Sequence, residues 1–344
     1  MSMTAKQRIP DDGLITRGGA EEQFSINVFK VLVNLLDKCN LSCSYCINSS
    51  RSGNNAVLDR QSLVRFLAVL AGLNKDRTEL AFAGGEPFLY PGLHALFADV
   101  CTLFPHDKLR ISMASNLVTS ASSIQRLIDT IGDVQFTILA SVHFGQFDLK
   151  KYFANILQLP IHYRKHIRFK LLLSAKTLSA TVEALEYLEK APECSFQIGL
   201  VYDNNGRLDS RFTPQQKKLA LLLAQKYSAG LGTVFTEFMM NGQPGRIDFK
   251  NQERIADPSL VRYEGLVCTA GYGSLRIGST GGVRRCFGFG EEFAITDVTS
   301  TLPESFYTPI RCPVRHCTCY PLIGKPKWRL PEQAPDFVLA SGLL

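Results

Sequence analysis

Long apolar runs are missing from this chain. None approaches the ~18 residues a membrane-crossing helix needs, so a helical membrane protein is not expected. The first residues also lack an apolar centre. Met1 to Gln23 is polar, with Asp11-Asp12-Gly13 and Arg17-Gly18-Gly19 as turn sequences, where a signal peptide would carry a hydrophobic stretch. A cytoplasmic location is the expectation. Nor is there a basic stripe interleaved with aromatics of the kind that tracks a nucleic-acid strand. The formal charge of +7 comes from scattered Lys and Arg, densest at Arg284, Arg285, Arg311 and Arg315 and in the tail at Lys325, Lys327 and Arg329. Nucleic acid is therefore not an expected partner.

What is present in quantity is cysteine. The ten cysteines do not read as a disulfide framework, because at 344 residues the chain is not the small secreted domain that needs one. Eight fall in two groups, Cys39 to Cys46 and Cys268 to Cys319. Cys101 and Cys194 stand alone in apolar surroundings and read as core residues. Reduced, metal-binding thiols fit the two groups.

The first group, Cys39-Asn40-Leu41-Ser42-Cys43-Ser44-Tyr45-Cys46, has CX3CX2C spacing and follows the apolar run Val31 to Leu36. Such a run reads as a buried strand, so the cysteines leave its C-terminal end on a tight loop. Three thiolates there can each hold one iron of a cubane cluster and leave the fourth iron open. An ordinary electron-transfer [4Fe–4S] site takes four cysteines; three imply that the open iron receives another ligand. A structural zinc knuckle is the alternative, and it needs a fourth Cys or His nearby. The next in sequence are His94 and Cys101, neither with a CXXC- or HXXXH-like partner.

From there to residue 201 strand and helix patterns alternate. Asp59 caps a helix marked by Leu63, Phe66, Leu67 and Leu70, with Gly72 near its end. Strands are expected at 79–83, 109–114, 134–140, 167–173 and 195–201. Helices are expected at 93–103, 122–131, 148–157 and 180–190. With the first strand this makes six strands and five helices, which argues a parallel sheet with right-handed crossovers. The expected fold class is α/β, a partial (β/α)6 barrel with a small C-terminal domain. Chemistry in such folds collects at the C-terminal strand edges. Those edges carry the cysteine loop, Gly84-Gly85-Glu86-Pro87, Ser115-Asn116, Ser141-Val142-His143 and Tyr202-Asp203-Asn204. Adjacent glycines let backbone approach a ligand closely. Ser141 and His143 share a face of an extended segment and could touch ribose or substrate, although His143 also reads as a structural histidine. Asp203-Asn204-Asn205-Gly206 reads equally as a turn.

Beyond residue 207 the alternation stops. A helix is expected at 213–227 and a strand at 233–238, then a turn-rich bridging segment from Asn241 to Asp257. Ser274-Leu275-Arg276-Ile277 and Gly282-Val283-Arg284-Arg285-Cys286 flank Ser279-Thr280-Gly281 as a hairpin. The expected divisions are a polar N-terminal segment 1–27, the barrel 28–207, a bridging segment 208–262, and a cysteine-bearing domain and tail 263–344.

The cysteine loop, with Tyr45 before its third cysteine, resembles the cluster loop of the radical S-adenosylmethionine (SAM) superfamily, and Gly84-Gly85-Glu86-Pro87 resembles that family's GGEP motif. The resemblance implies a [4Fe–4S] cluster on Cys39, Cys43 and Cys46, with SAM chelating the open iron and being cleaved reductively to a 5′-deoxyadenosyl radical. It implies that the GGEP turn meets the SAM amino group and that Ser115 and Asn116 help to hold SAM. It also implies a reductant protein such as flavodoxin or ferredoxin. Cys268 to Cys286 fits CX12GX4C through Gly281 and resembles the opening of the SPASM/Twitch extension of one branch. With Cys312, Cys317 and Cys319 in CX4CXC, four of five cysteines would hold one auxiliary [4Fe–4S] cluster, the fourth ligand being Cys317 or Cys319. A tetrahedral zinc site uses the same residue types. A cluster held by four thiolates is negative, so the arginines around it are electrostatically sensible. The N-terminal segment is too short for a leader-peptide-recognition domain, which favours a small polar metabolite as substrate. A maturase of a ribosomally made peptide and a non-catalytic iron–sulfur or zinc scaffold are the alternatives.

Overall fold

The computed structural model describes residues 28–43, 46, 55–73, 75–191, 193–200, 211–228, 264–265, 267–268, 270–271, 273–286, 288–307 and 310–314, and the strand backbones 15–18, 234–240, 243–249 and 327–328. Its centre is a sheet of six parallel strands in sequence order: β1 (Val28–Asn34), β2 (Arg77–Ala83), β3 (Leu109–Ser115), β4 (Gln135–Val142), β5 (Ile167–Leu173) and β6 (Ser195–Leu200). Helices α1 (Arg60–Ala71), α2 (Leu93–Leu103), α3 (Ala121–Ile131), α4 (Leu149–Leu157) and α5 (Leu178–Leu188) supply the crossovers. The expected α/β partial barrel is what the chain forms.

Period-two burial along each strand explains the curvature into two faces. Val31, Val33, Leu80, Phe82, Ile111, Met113, Ile138, Phe169 and Leu171 are buried on the outer face, in one core with Leu63, Phe66, Phe97 and Leu127 of the helices. Phe82 and Phe97 pack with ring centroids 4.8 Å apart; truncating either to alanine would cost about 3–5 kcal/mol. The alternate residues, such as Lys30, Glu79, Ser112, Thr137, Ser141 and Lys170, are only half-buried and face the concave side. Helix starts follow the sequence signals. Asp59 accepts the Ser62 amide at 2.7 Å, Ser120 that of Ser123 at 3.2 Å, and Asp148 that of Lys151 at 3.0 Å.

The hairpin assigned from sequence to the C-terminal domain continues this sheet. β7 (Ser274–Ile277) runs parallel to β1 with Ser274 opposite Lys30 and Ile277 opposite Val33. β8 (Gly282–Arg284) pairs antiparallel with β7, and β9 (Phe293–Ala294) with β8. Leu275, Ile277, Val283 and Ile295 enter the main core, so covering the open edge of β1 is also apolar burial. α6 (Pro214–Ser228) lies against β6, Phe196 meeting Tyr227 at 5.0 Å between ring centroids.

A second, antiparallel sheet departs from two expectations. Ile15–Gly18, inside the N-terminal segment taken as polar and turn-bearing, is a strand paired with Val234–Met240. Gln243–Phe249, inside the segment expected to be turn-rich, is a strand paired with Val234–Met240 and brings Gln243 opposite Met240. Asn241-Gly242 is the dipeptide that favours a two-residue hairpin, a signal that the turn-rich reading absorbed as loop. Val267–Cys268 pairs with Ile310–Arg311 and with Lys327–Trp328.

Candidate active site

The GGEP turn and the cysteine loop are built into each other. Leu35 N–H donates to Ala83 O at 2.8 Å, Gly85 N–H to Leu36 O at 2.7 Å, and Glu86 N–H to Lys38 O at 2.9 Å. Only glycine allows this approach. Gly84 has φ +136°, and a Cβ there would stand 2.4 Å from Leu36 O. A Cβ on Gly85 would lie 1.9 Å from Lys38 O. What the two glycines admit in this structure is the backbone of the cysteine loop.

Glu86 braces the next strand end. Its buried carboxylate accepts the Ser115 hydroxyl at 2.7 Å, the Asn116 amide at 2.8 Å and the Phe88 amide at 3.1 Å. Burial pushes its pKa up, against these three donors, which favour the charged form. Pro87 opens a 3₁₀ turn, Pro87–Leu89, capped by Glu86. Ser115 Oγ also accepts the Leu117 amide at 2.9 Å, where Leu117 adopts φ +53°. Asn116 then reaches back to the cysteine loop, its Nδ2 2.7 Å from Asn40 Oδ1 and 3.9 Å from Cys39 Sγ. Asn40 Nδ2 donates to Val118 O at 3.2 Å.

The fourth strand closes the ring. His143 Nδ1 lies 3.3 Å from Cys43 Sγ, and Ser42 N–H donates to Gln146 Oε1 at 3.3 Å. Burial lowers the His143 pKa and favours the neutral imidazole. Burial also raises the Cys39 thiol, with the charges of Glu86 and Cys46 adding to it. Ser141 is half-buried on the concave face, opposite Lys170 of β5. The C-terminal hairpin meets the same loop from the other side, where Ser279 Oγ donates to Asp37 Oδ1 at 2.7 Å with both residues buried.

The structure thus brings Cys39, Cys43, Gly84, Gly85, Glu86, Ser115, Asn116 and His143 to one strand edge. Cys46 joins them through its amide, which donates to Cys43 O at 3.2 Å. Among the described residues no three Cys, His, Asp or Glu side chains form a ready-made metal shell. The donor set nevertheless fits an iron–sulfur cube, with three thiols on one short loop and the Asn116 amide beside a sulfur. Tyr45, Tyr202 and Asp203 lie outside the described residues, as do Cys317 and Cys319. Sequence reasoning missed Asn40, Gln146, the Asp37–Ser279 contact and Lys170. For Lys170 a signal existed, since the alternation Ile167-Arg168-Phe169-Lys170-Leu171 sets it on the concave face.

In the second cysteine group, Cys268 pairs with Ile310, and Cys286 and Ile310 pack against Cys268 and Ala270. Gly265 N–H donates to Cys312 O at 2.9 Å. The three described cysteines therefore lie on neighbouring segments. The nearby arginines are already engaged: Arg284 with Glu291 at 2.8 Å, Arg285 with Glu292 at 2.8 Å, and Arg311 with Gly265 O at 3.1 Å. Expected to offset thiolate charge, Arg284 and Arg285 are instead paired with carboxylates.

Fold and site together define a parallel α/β barrel with a thiol-bearing loop at its C-terminal edge. A model of the Radical SAM superfamily matches residues 33–205, half of the chain, and the chain belongs to that superfamily. Membership implies a [4Fe–4S] cluster and SAM. Among curated proteins, a probable GTP 3′,8-cyclase of Halobacterium salinarum is 31% identical over 103 residues, 28% of this chain and 27% of that protein. A GTP 3′,8-cyclase of Chlorobaculum tepidum is 31% identical over 75 residues, 22% of each. The chain thus spans about a quarter of the length of these relatives. Among solved structures, anSMEcpe with bound AdoMet superposes with a TM-score of 0.52 at 17% identity, covering 79% of both chains. Streptococcus suis SuiB bound to precursor peptide SuiA gives a TM-score of 0.50 at 14% identity, covering 82% of this chain and 66% of that one. These likenesses bear on the fold.

Proposed function

We propose that the chain is a radical SAM enzyme that cleaves SAM reductively and uses the resulting 5′-deoxyadenosyl radical to abstract hydrogen from an unactivated C–H of a small polar metabolite. The observation that carries it is the zipped edge: a three-cysteine loop held by the GGEP backbone, by Asn116 and by His143. Cys39, Cys43 and Cys46 would hold the cluster, whose open iron, when loaded, supplies the site where SAM binds and receives an electron. The chain's own part is positional. Glu86 holds Ser115 and Asn116, Asn116 reaches Asn40 of the loop, and His143, whose pKa burial lowers, stands beside Cys43. Gly84 to Pro87, Ser115, Asn116, Ser141 and His143 border the space SAM would enter, and Tyr45 is assigned there by resemblance. A flavodoxin or ferredoxin would deliver the electron.

The C-terminal residues 263–344 form, in this reading, a SPASM/Twitch-like unit. Cys268, Cys286 and Cys312, with Cys317 or Cys319, would hold an auxiliary [4Fe–4S] cluster that accepts an electron from the product radical. The neighbouring placement of the first three supports this. A metabolite substrate is supported by the polar side chains on the half-buried concave face, such as Ser112, Thr137, Ser141 and Lys170, and by the curated relatives, whose names give GTP as substrate. The test is anaerobic reconstitution followed by dithionite and SAM, with deoxyadenosine release measured across nucleotides, sugars and ribosomal peptides. Stimulation by a peptide alone would replace the metabolite with a maturase substrate.

A further inference from the structure

We propose that Lys170 anchors a carboxylate or phosphate of the substrate and so selects for anionic substrates, an inference that rests on the function proposed above. Phe169 and Leu171 are buried in the outer core, where Phe169 meets Phe153 of α4 at 5.6 Å between ring centroids. Lys170, between them, projects from the concave face. Its stem leans toward β6, with Cε 3.4 Å from where a Cβ on Gly199 would stand, an ordinary van der Waals contact. Burial lowers its pKa, and neither a hydrogen bond nor an opposite charge among the described residues offsets that burial.

Placement makes this ammonium useful. The register sets Lys170 opposite Ser141, two residues before His143, which touches Cys43. One strand spacing of ~4.8 Å and two residues of ~3.3 Å rise separate the Lys170 backbone from that contact, and its stem leans toward Gly199, which pairs with Leu172 nearer the same C-terminal edge, on the β6 side. Among the described residues that loop meets the ends of β3 and β4 and the turn after β4, through Asn116, His143 and Gln146. The concave faces of β5 and β6 lie beyond β4 in the sheet. The charge balance differs across the barrel. On β1 and β2, Lys30 and Arg77 both pair with Glu79, at 3.3 and 3.0 Å. On β4 to β6 the concave positions hold two cations, Arg168 and Lys170, and no carboxylate, and Arg168 donates to Ser195 Oγ at 3.2 Å. A half-desolvated ammonium without a counter-charge is unfavourable until an anion joins it. A substrate that brings one gains affinity, and a neutral analogue does not.

The test uses reconstituted full-length protein with SAM already bound, titrated calorimetrically with inorganic pyrophosphate and with acetate. Wild type, Lys170→Gln and Lys170→Arg are compared, and SAM affinity is measured separately for each. Anion binding should weaken about tenfold or more in Lys170→Gln and return in Lys170→Arg, with SAM affinity within about twofold of wild type. Equal anion binding by wild type and Lys170→Gln overturns the proposal. So does a parallel loss of SAM affinity, which assigns the ammonium to SAM's own carboxylate. Lys170-dependent anion binding by protein that holds neither cluster nor SAM, titrated without SAM, would keep this inference and defeat the functional reading.

Discussion

Replacing Gly85 with alanine drives a methyl group into the cysteine loop. The new Cβ would stand 1.9 Å from Lys38 O, 2.4 Å from Lys38 C and 2.6 Å from Asp37 O, all backbone atoms that cannot rotate away. Ordinary contact is ~3.4 Å or more, so the loop must retreat by roughly 1.5 Å. That breaks the bonds from Gly85 N–H to Leu36 O and from Glu86 N–H to Lys38 O, 2.7 and 2.9 Å long. Leaving these groups unpaired costs about 1–3 kcal/mol for each bond, or about 2–6 kcal/mol together. Thermal unfolding of the metal-free protein should fall by roughly 3–8 °C. Iron retained after reconstitution should fall as well, because the loop carrying the thiols has moved. Gly290→Ala is the control, since nothing lies within 4 Å of a Cβ there. A Gly85→Ala protein with wild-type melting and wild-type iron would refute the idea that the two loops are held by backbone approach.

Further expectations concern the two cysteine groups, the hairpin and the core. Cys39→Ala, Cys43→Ala and Cys46→Ala should each abolish SAM cleavage, measured as deoxyadenosine. Cys101→Ala, whose Sγ lies 3.8 Å from Ile131 O in the core, should only lose about 1 kcal/mol of stability. Wild type should hold about eight irons and Cys286→Ala about four; about four irons with stoichiometric zinc in wild type would replace the auxiliary cluster with a zinc site. Ser279→Ala removes a donor from buried Asp37 and should cost about 1–3 kcal/mol in denaturant unfolding. Burial pushes the Tyr90 phenol up to about 12, and its hydroxyl donates to Leu58 O at 2.7 Å. A folded-state pKa above the unfolded ~10 gives stability that is full below pH 10 and is lost as pH rises through about 12. Unfolding free energy should therefore drop about 2–3 kcal/mol more between these limits in wild type than in Tyr90→Phe.

Much of the barrel was legible because its signals are local. The helix at Leu93–Leu103 and the strand at Ile167–Leu173 have the bounds that periodicity gave them. The pairing of Ser274–Ile277 with β1 was not legible, because a parallel pairing between segments so far apart in sequence leaves no local mark. In the site, Gly84 and Gly85 stand out in the sequence as a motif, but their steric reason, the backbone of residues 36–38, is set by the fold. Glu86 is visible in the sequence as part of that motif, but the partners of its carboxylate, Ser115, Asn116 and Phe88, are not marked by any spacing. Lys170 was overlooked because a single lysine in a strand has no motif, although the alternation around it does.

The central claim is that Cys39, Cys43 and Cys46 leave one iron open for SAM. Electron paramagnetic resonance of the dithionite-reduced protein tests it, using a Cys286→Ala background whose measured content of about four irons shows that the auxiliary signal is absent. Addition of SAM should change the spectrum of the remaining cluster and yield deoxyadenosine and methionine. A reduced cluster whose spectrum is unchanged by saturating SAM, with no deoxyadenosine formed, would contradict the account.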